Sequence, residues 1–298
     1  MSSRIVIAKM VIGSLVSVSE HDSKALKGVQ FESNWGSFSE LVSDSNNAVS
    51  KKTVKVTTVS FDGLSFPGDH LKFKSLGLGL TYPDHRSDTG LDKIVIFEKT
   101  SATTKLSDPI PFRSALDYEA EVSLLLHRSE PDLFGYLAHN DLTDRKIQVM
   151  EFVEKDPAPS FGYAKTFKGS NAHGSLMIVG ADDVWTTLDL ELRRNGVVVQ
   201  RVKPSENLLK PKEIHKKVFS SSLSDGYDWI LIGTGTPSGT IFVAPGKLEA
   251  AWQFLLSGFD MNQTKINWLG TFDFLKVNEE LSFHSKDLGT YTSKVLIP

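Results

Sequence analysis

The acids come first among the residues able to do chemistry. Asp117-Tyr118-Glu119-Ala120-Glu121 is followed by Asn140-Asp141. Glu119 and Glu121 stand at i and i+2, just ahead of the apolar run Val122–Leu126. On a strand this spacing puts both carboxylates on one face, because successive side chains alternate across a sheet. Asp141 closes the next strand-like stretch, Leu133–His139, so a short connection would bring a third carboxylate alongside. Three carboxylates in one cleft repel one another unless a cation lies among them. The cation suited to such oxygens is hard: Mg²⁺, Mn²⁺ or Ca²⁺. The same spacing also fits a solvated strand edge carrying ordinary charges.

Three further stretches offer polar chemistry. Tyr82-Pro83-Asp84-His85-Arg86-Ser87-Asp88 follows the Gly-rich Leu76–Gly79. If a helical turn starts there, His85 and Asp88 are neighbours at i, i+3. A carboxylate-oriented imidazole is a general base able to activate water; a locally capped loop histidine fits the same residues. Lys165 lies in Gly162-Tyr163-Ala164-Lys165-Thr166-Phe167, where it could hold an anionic group or simply be a solvated surface lysine. Gly233-Thr234-Gly235-Thr236-Pro237-Ser238-Gly239 offers N–H groups and hydroxyls to an oxyanion, or is a plain turn. Gly77 and Gly79 lack the third glycine and the βαβ setting of a dinucleotide fingerprint.

The elements that must position these residues read as mostly β. Short apolar runs recur between turn signals: Ile94–Phe97, Val122–Leu126, Leu176–Val179 and Trp229–Ile232. Leu188–Leu192 alternates and runs into Arg194-Asn195-Gly196, a hairpin signal, with Val197–Val199 as the return strand. Residues 1–72 read as a small, mostly β, N-terminal domain, with Val54–Val59 a half-buried strand and Ser43–Ser50 a polar loop. The apolar Ile5–Ala8 is broken by Lys9 and resumes in alternation, which predicts a strand and turn rather than a signal peptide. A helix is expected over Lys247–Ser257, with Leu248, Trp252, Leu255 and Leu256 on one face and Gly258 as terminator.

Composition narrows the function. With 40% hydrophobic and 23% charged residues among 298, the chain can bury a core and is not disordered. Lys and Arg total 33 against 36 Asp and Glu, a net charge of −3 with no electrostatic footprint for nucleic acid. Cysteine is absent, which excludes disulfides, thiolate metal sites and a cysteine nucleophile. No apolar run approaches the ~20 residues of a membrane span, so a cytoplasmic protein without membrane partners is the expectation.

Taken in order, these motifs resemble the fumarylacetoacetate hydrolase superfamily. The similar stretches are Gly79-Leu80-Thr81-Tyr82-Pro83-Asp84-His85, Tyr118–Glu121, Asn140–Gln148, Ala164–Phe167, Thr234–Pro237 and Leu288-Gly289-Thr290, covering roughly 76–242 and 270–298. The resemblance implies a mixed β-sheet roll preceded by a small N-terminal domain, with 73–298 as the catalytic domain. It implies Glu119, Glu121 and Asp141 as ligands of Mg²⁺ or Mn²⁺, and His85 as base oriented by Asp88, where Glu is commoner in the family. It implies a stabilising role for Lys165, and substrate contacts from Tyr82, Arg145, Gln148 and Thr236. The reaction implied is hydrolysis of a C–C bond in a diketo or acylpyruvate-type acid through a metal-bound enolate. Decarboxylation, tautomerisation or dehydration of a 2-oxo acid through the same enolate is the alternative, and a non-catalytic or repurposed ligand-binding member is a further one. A homodimer is expected because relatives commonly dimerise. Residues 243–269 interrupt the family pattern as an insertion, and its apolar helix face is expected to be buried, either over the active-site mouth or at a subunit interface.

Overall fold

The computed structural model describes residues 5–10, 15–21, 25–51, 56–60, 64–89, 93–152, 156–243, 250, 254–258 and 260–298. The strands are β1 (Ile5–Met10), β2 (Leu15–His21), β3 (Ala25–Phe31), β4 (Val56–Ser60), β5 (Leu64–Ser65), β6 (Phe73–Gly79), β7 (Val95–Glu98), β8 (Thr103–Lys105), β9 (Ile110–Pro111) and β10 (Leu116–Asp117). They continue as β11 (Ala120–His127), β12 (Phe134–Asp141), β13 (Thr143–Asp144), β14 (Asn171–His173), β15 (Leu176–Gly180), β16 (Leu190–Arg194), β17 (Val197–Val202), β18 (Trp229–Gly233), β19 (Glu280–Ser285) and β20 (Gly289–Leu296). The α-helices described are α1 (Phe38–Ser50), α2 (Pro83–Thr89), α3 (Arg145–Met150), α4 (Ala158–Ala164), α5 (Asp182–Trp185), α6 (Pro211–Phe219) and α7 (Met261–Leu269). The chain is mostly β with mixed sheets, as the sequence predicts.

The main sheet runs β4-β3-β2-β1-β15-β12-β11-β18-β6-β7, antiparallel except where β18 lies parallel to β6. Its central strands β11, β12 and β18 are almost wholly buried, which is why their sequences are continuous apolar runs. One face carries Val122, Leu124, Tyr136, Ala138, Ile230 and Ile232 into the largest core cluster. The other carries Leu125, Leu137, Trp229 and Leu231 into a second core. Along β11, β12 and β18 this second face leaves its apolar stretch and ends at Glu121, His139 and Gly233. The functional site therefore grows out of a core face.

The N-terminal strands belong to this same sheet. β1 pairs antiparallel with β15, Ile5 opposite Val179 and Ile7 opposite Met177. Ile5, Ile7, Phe31, Trp35, Phe38 and Leu41 share the second core with Leu125, Leu137 and Trp229. The sheet is thus continuous across the expected boundary near residue 72. Ser43–Ser50, expected as a polar loop, is instead the C-terminal half of α1. The cause is an N-cap: Ser37 accepts from the Glu40 N–H, and the Glu40 carboxylate accepts from the preceding Gly36 N–H at 2.7 Å. Phe38 and Leu41 then anchor the helix on the core, and its Asn and Ser residues are tolerated on the outer side. Glu130, at the β11–β12 turn, adds a carboxylate to the same helix start, accepting from Phe38 N–H at 2.6 Å and Ser39 N–H at 3.0 Å.

A second sheet, β17-β16-β19-β20-β9, carries the predicted hairpin, with Asn195 and Gly196 at φ of 51° and 81°. Within 243–269 the expected helix is described only in part. Ala250 and 254–256 are helical, but Leu255 and Leu256 are 53% and 71% exposed, and Leu248 and Trp252 lie outside the described residues. The apolar anchoring comes instead from α7, whose Trp268 and Leu269 pack with Phe242, Phe274, Val149 and Ala115. No described helix is long and apolar enough to cross a membrane.

Glu130→Ala removes the acceptor for the first N–H groups of α1. We expect a loss of about 1–2 kcal/mol, read as a lowered Tm in thermal unfolding. An unchanged Tm would show that α1 docks without this cap.

Candidate functional site

Sheet register assembles the site. In the β11–β12 pair Glu121 lies opposite His139, and the Asp141 N–H donates to the Glu119 carbonyl at 2.9 Å. Across β12, His139 lies opposite His173 and Asp141 opposite Asn171. Directly opposed residues share a face. Two rows result: Glu121–His139–His173, and beside it Glu119–Asp141–Asn171. The i, i+2 reading of the acids is therefore correct in its physical basis.

Three cations converge on these rows. The Lys165 ammonium bridges Glu119 Oε2 at 2.5 Å and Asp141 Oδ2 at 2.9 Å. Lys99 donates to Asp141 Oδ1 at 2.7 Å and lies 3.2 Å from His139 Nε2. Arg145, at the start of α3, donates to Asp117 Oδ2 at 2.7 Å, Glu119 Oε1 at 2.7 Å and Gln148 Oε1 at 2.6 Å. Asp117 also accepts from the Ile241 and Phe242 N–H groups at 2.9 and 3.2 Å. Asp117, Glu119 and Asp141 are thus each held by a cation. The fourth carboxylate, Glu121, is 1% exposed, and its Oε2 has no hydrogen-bond partner.

The electrostatics follow this pairing. Burial pushes the Glu121 carboxyl well above the ordinary carboxylate range, and the Asp141 charge pushes it further. Burial would raise Glu119 and Asp141 too, but Lys165, with Arg145 at one and Lys99 at the other, outweighs it and holds both low. Burial would discharge Lys165, yet the Asp141 and Glu119 carboxylates lift its pKa and keep it charged. Lys99 is lowered, by burial and by repulsion from Lys165, against the pull of Asp141.

An additional divalent cation fits this donor set. Glu121, His139 and Asp141 present ligand atoms that all lie within 4.8 Å of one another. Glu121 Oε2 is a buried acceptor in need of positive charge. Space is kept by Gly233, where a Cβ would lie 2.5 Å from Glu121 Oε2 and 3.3 Å from His139 Nε2.

The other sequence-predicted residues gather around this group. His85 sits on α2 as the i, i+3 reading requires, and it lines a small cleft with Glu119, Lys165, Gly235 and Thr236, walled by Phe97 and Phe161. The cleft volume is about 10 Å³, room for a single water. The Asp88 side chain lies outside the described residues. Lys165 is no surface lysine: it caps α4 and is 1% exposed. Tyr82 is buried in the core behind the cleft. The Thr236 hydroxyl donates to the Ala120 carbonyl at 2.9 Å and accepts from Gln200 at 2.9 Å, tying the loop to β11. Gln148 is buried beside Arg145.

Asp117 appeared only at the head of the acidic stretch, with no role, and Lys99 and His139 were not singled out by the sequence. Their signal was phase. Lys99 continues the inward positions Val95 and Phe97, and His139 stands at i−2 from Asp141, the same rule that pairs Glu119 with Glu121.

Comparison with known proteins places the chain and its fold. The family model described as fumarylacetoacetate (FAA) hydrolase C-terminal matches residues 83–296. An uncharacterized protein of Staphylococcus haemolyticus (strain JCSC1435) is 27% identical over 219 residues, 66% of this chain and 66% of that protein. The chain thus matches just under two thirds of that relative's length. Among solved structures, a 2-hydroxyhepta-2,4-diene-1,7-dioate isomerase from Mycobacterium marinum superposes with a TM-score of 0.58 at 16% identity, covering 98% of both chains. A fumarylpyruvate hydrolase from Pseudomonas aeruginosa, in complex with Mn²⁺ and pyruvate, gives a TM-score of 0.55 at 17% identity over 78% of this chain and 95% of that one. At these identities the structures share the fold.

Two outcomes test the site. Gly233→Ala forces Glu121 and His139 aside and should cost at least about tenfold in divalent-ion affinity by calorimetry, about 1.4 kcal/mol, with the circular dichroism spectrum kept. Affinity equal to wild type would refute the packing argument. Arg145→Ala strands the buried Asp117 and Glu119 and should destabilise by about 3–5 kcal/mol in denaturant unfolding; a loss under about 1 kcal/mol, as for a surface pair, would contradict it.

Proposed function

Because the chain belongs to the fumarylacetoacetate hydrolase family, we propose that it is a divalent-metal-dependent enzyme that hydrolyses a C–C bond in a diketo or acylpyruvate-type acid. The observation that carries this reading is the fourth carboxylate, Glu121, buried without a hydrogen bond at Oε2 beside a cleft that already gathers a histidine and a charged lysine. The fold shared with a fumarylpyruvate hydrolase that holds Mn²⁺ and pyruvate supports it.

Glu121 and Asp141, with Glu119 as third carboxylate, would hold Mg²⁺ or Mn²⁺. When bound, the ion supplies positive charge beside the oxygens of a 2-oxo acid. The remaining chemistry belongs to the chain. His85 takes a proton from water, and the resulting hydroxide adds to the distal carbonyl carbon. The bond from that carbon to C3 breaks, its electron pair passes into the C2–C3 enolate, and C3 then takes up a proton. One water and one diketo acid give one carboxylic acid and one 2-oxo acid. The Lys165 ammonium is the chain's own counter-charge to the enolate oxygen. Asp88 is the acid assigned to orient His85. Thr236 shapes the substrate side, Tyr82 backs it from the core, and the Gln148 amide nitrogen is left to donate to the substrate because its oxygen accepts from Arg145. Arg145 acts through Glu119 and Gln148, which it holds in place.

The second reading, isomerisation through the same enolate, is supported by the isomerase of M. marinum, whose fold covers nearly the whole chain. It differs only in dispensing with the water step. Solvent deuterium exchange at C3 of a 2-oxo acid, measured beside C–C cleavage, separates the two. In His85→Ala we expect cleavage to fall at least about 100-fold while exchange persists. Equal survival of both would remove His85 from the mechanism, and an intact rearranged product would establish the second reading.

A further inference from the structure

We propose that His139 is a nitrogen ligand of the divalent ion, joining Glu121 and Asp141, and that this nitrogen makes the site prefer Mn²⁺, Co²⁺ or Zn²⁺ over Mg²⁺. The proposal rests on the reading that this site holds a divalent ion.

The tautomer is fixed by its surroundings. His139 is fully buried, and its Nδ1 lies 2.8 Å from the Ala172 carbonyl, which can only accept, so Nδ1 carries the proton. Nε2 faces the Lys99 ammonium at 3.2 Å, which can only donate, so Nε2 presents its lone pair. This is the arrangement of a metal-bound histidine, whose other ring N–H is held by a carbonyl or carboxylate that sets the ring's orientation. The ring is further locked by stacking on His173, with centroids 4.1 Å apart and planes 8° from parallel. His173 is itself pinned between Ser123 Oγ at 3.0 Å and Asn171 Oδ1 at 2.9 Å.

The aim of Nε2 is also fixed. It points to the region where Glu121 and Asp141 offer oxygens, all within 4.8 Å. Glu121 Oε2, buried and without a hydrogen bond, is the independent sign that this region wants a cation. The Lys99 ammonium, shared between His139 Nε2 and Asp141 Oδ1, already places positive charge where the two lone pairs converge. A bound ion would take the place of this ammonium at Nε2, and Gly233 opposite keeps the space open, since a Cβ there would lie 3.3 Å from Nε2 and 2.5 Å from Glu121 Oε2. Imidazole nitrogen binds Mn²⁺, Co²⁺ and Zn²⁺ more strongly than the oxygen-seeking Mg²⁺, so adding one nitrogen to a carboxylate set shifts the ranking of ions.

The test is spectroscopic, on the full chain loaded with Mn²⁺. Pulsed EPR of the wild type should show ¹⁴N modulation from a directly bound imidazole, retained in His85→Ala and lost in His139→Gln. Calorimetry should show the ratio of Co²⁺ to Mg²⁺ affinity falling at least tenfold in His139→Gln. Bound Mn²⁺ without imidazole ¹⁴N coupling in the wild type would overturn the role of His139 and leave the metal reading standing. If neither Mn²⁺ nor Co²⁺ binds, both fall.

Discussion

Four carboxylates are buried at one end of a strand pair, and the protein must neutralise them. Asp117, Glu119 and Asp141 do so with Arg145, Lys165 and Lys99, each within 2.9 Å of a carboxylate oxygen. Isolated charges at this depth would cost several kcal/mol each, so every cation here also holds up the fold. Glu121 is the exception, and the exception is where function enters. Its Oε2, buried without a hydrogen bond, lies in a group of ligand atoms that could hold a further cation.

That constraint explains the architecture around it. Sheet register, rather than loop geometry, sets the acid and histidine rows, so they inherit the rigidity of strands buried on both faces. The elements that line the cleft are less regular. α2 is a single short helix entered through Leu80 at a φ of 65°, a left-handed conformation unusual for a leucine. The Thr234–Pro237 loop is pinned by Thr234 and Thr236 donating to the Val122 and Ala120 carbonyls.

Much of this was legible in the sequence. The central strands declared themselves because strands buried on both faces need unbroken apolar runs, and the acids because alternation puts i and i+2 together. Other features were hidden for physical reasons. α1 carries Asn46-Asn47 and serines, which read as loop, and only the Ser37 N-cap with Glu40 three residues on betrays it. Lys99 and His139 belong to no motif and matter through cross-strand neighbours that one-dimensional spacing does not reveal. In the insertion, Leu255 and Leu256 are exposed on the single chain, and Trp268 and Leu269 of α7 pack into a core cluster. Apolar periodicity says that a face could be buried, not that it is.

The most direct measurement of the central claim is anomalous X-ray scattering from crystals of the protein grown with Mn²⁺ and oxalate, a planar mimic of the enolate. The account predicts one anomalous peak within bonding distance of both Glu121 and Asp141, with oxalate between the ion and the His85–Lys165 cleft. An ion bound elsewhere, or carboxylates that stay paired with Lys99 and Lys165 while no ion enters, would contradict it.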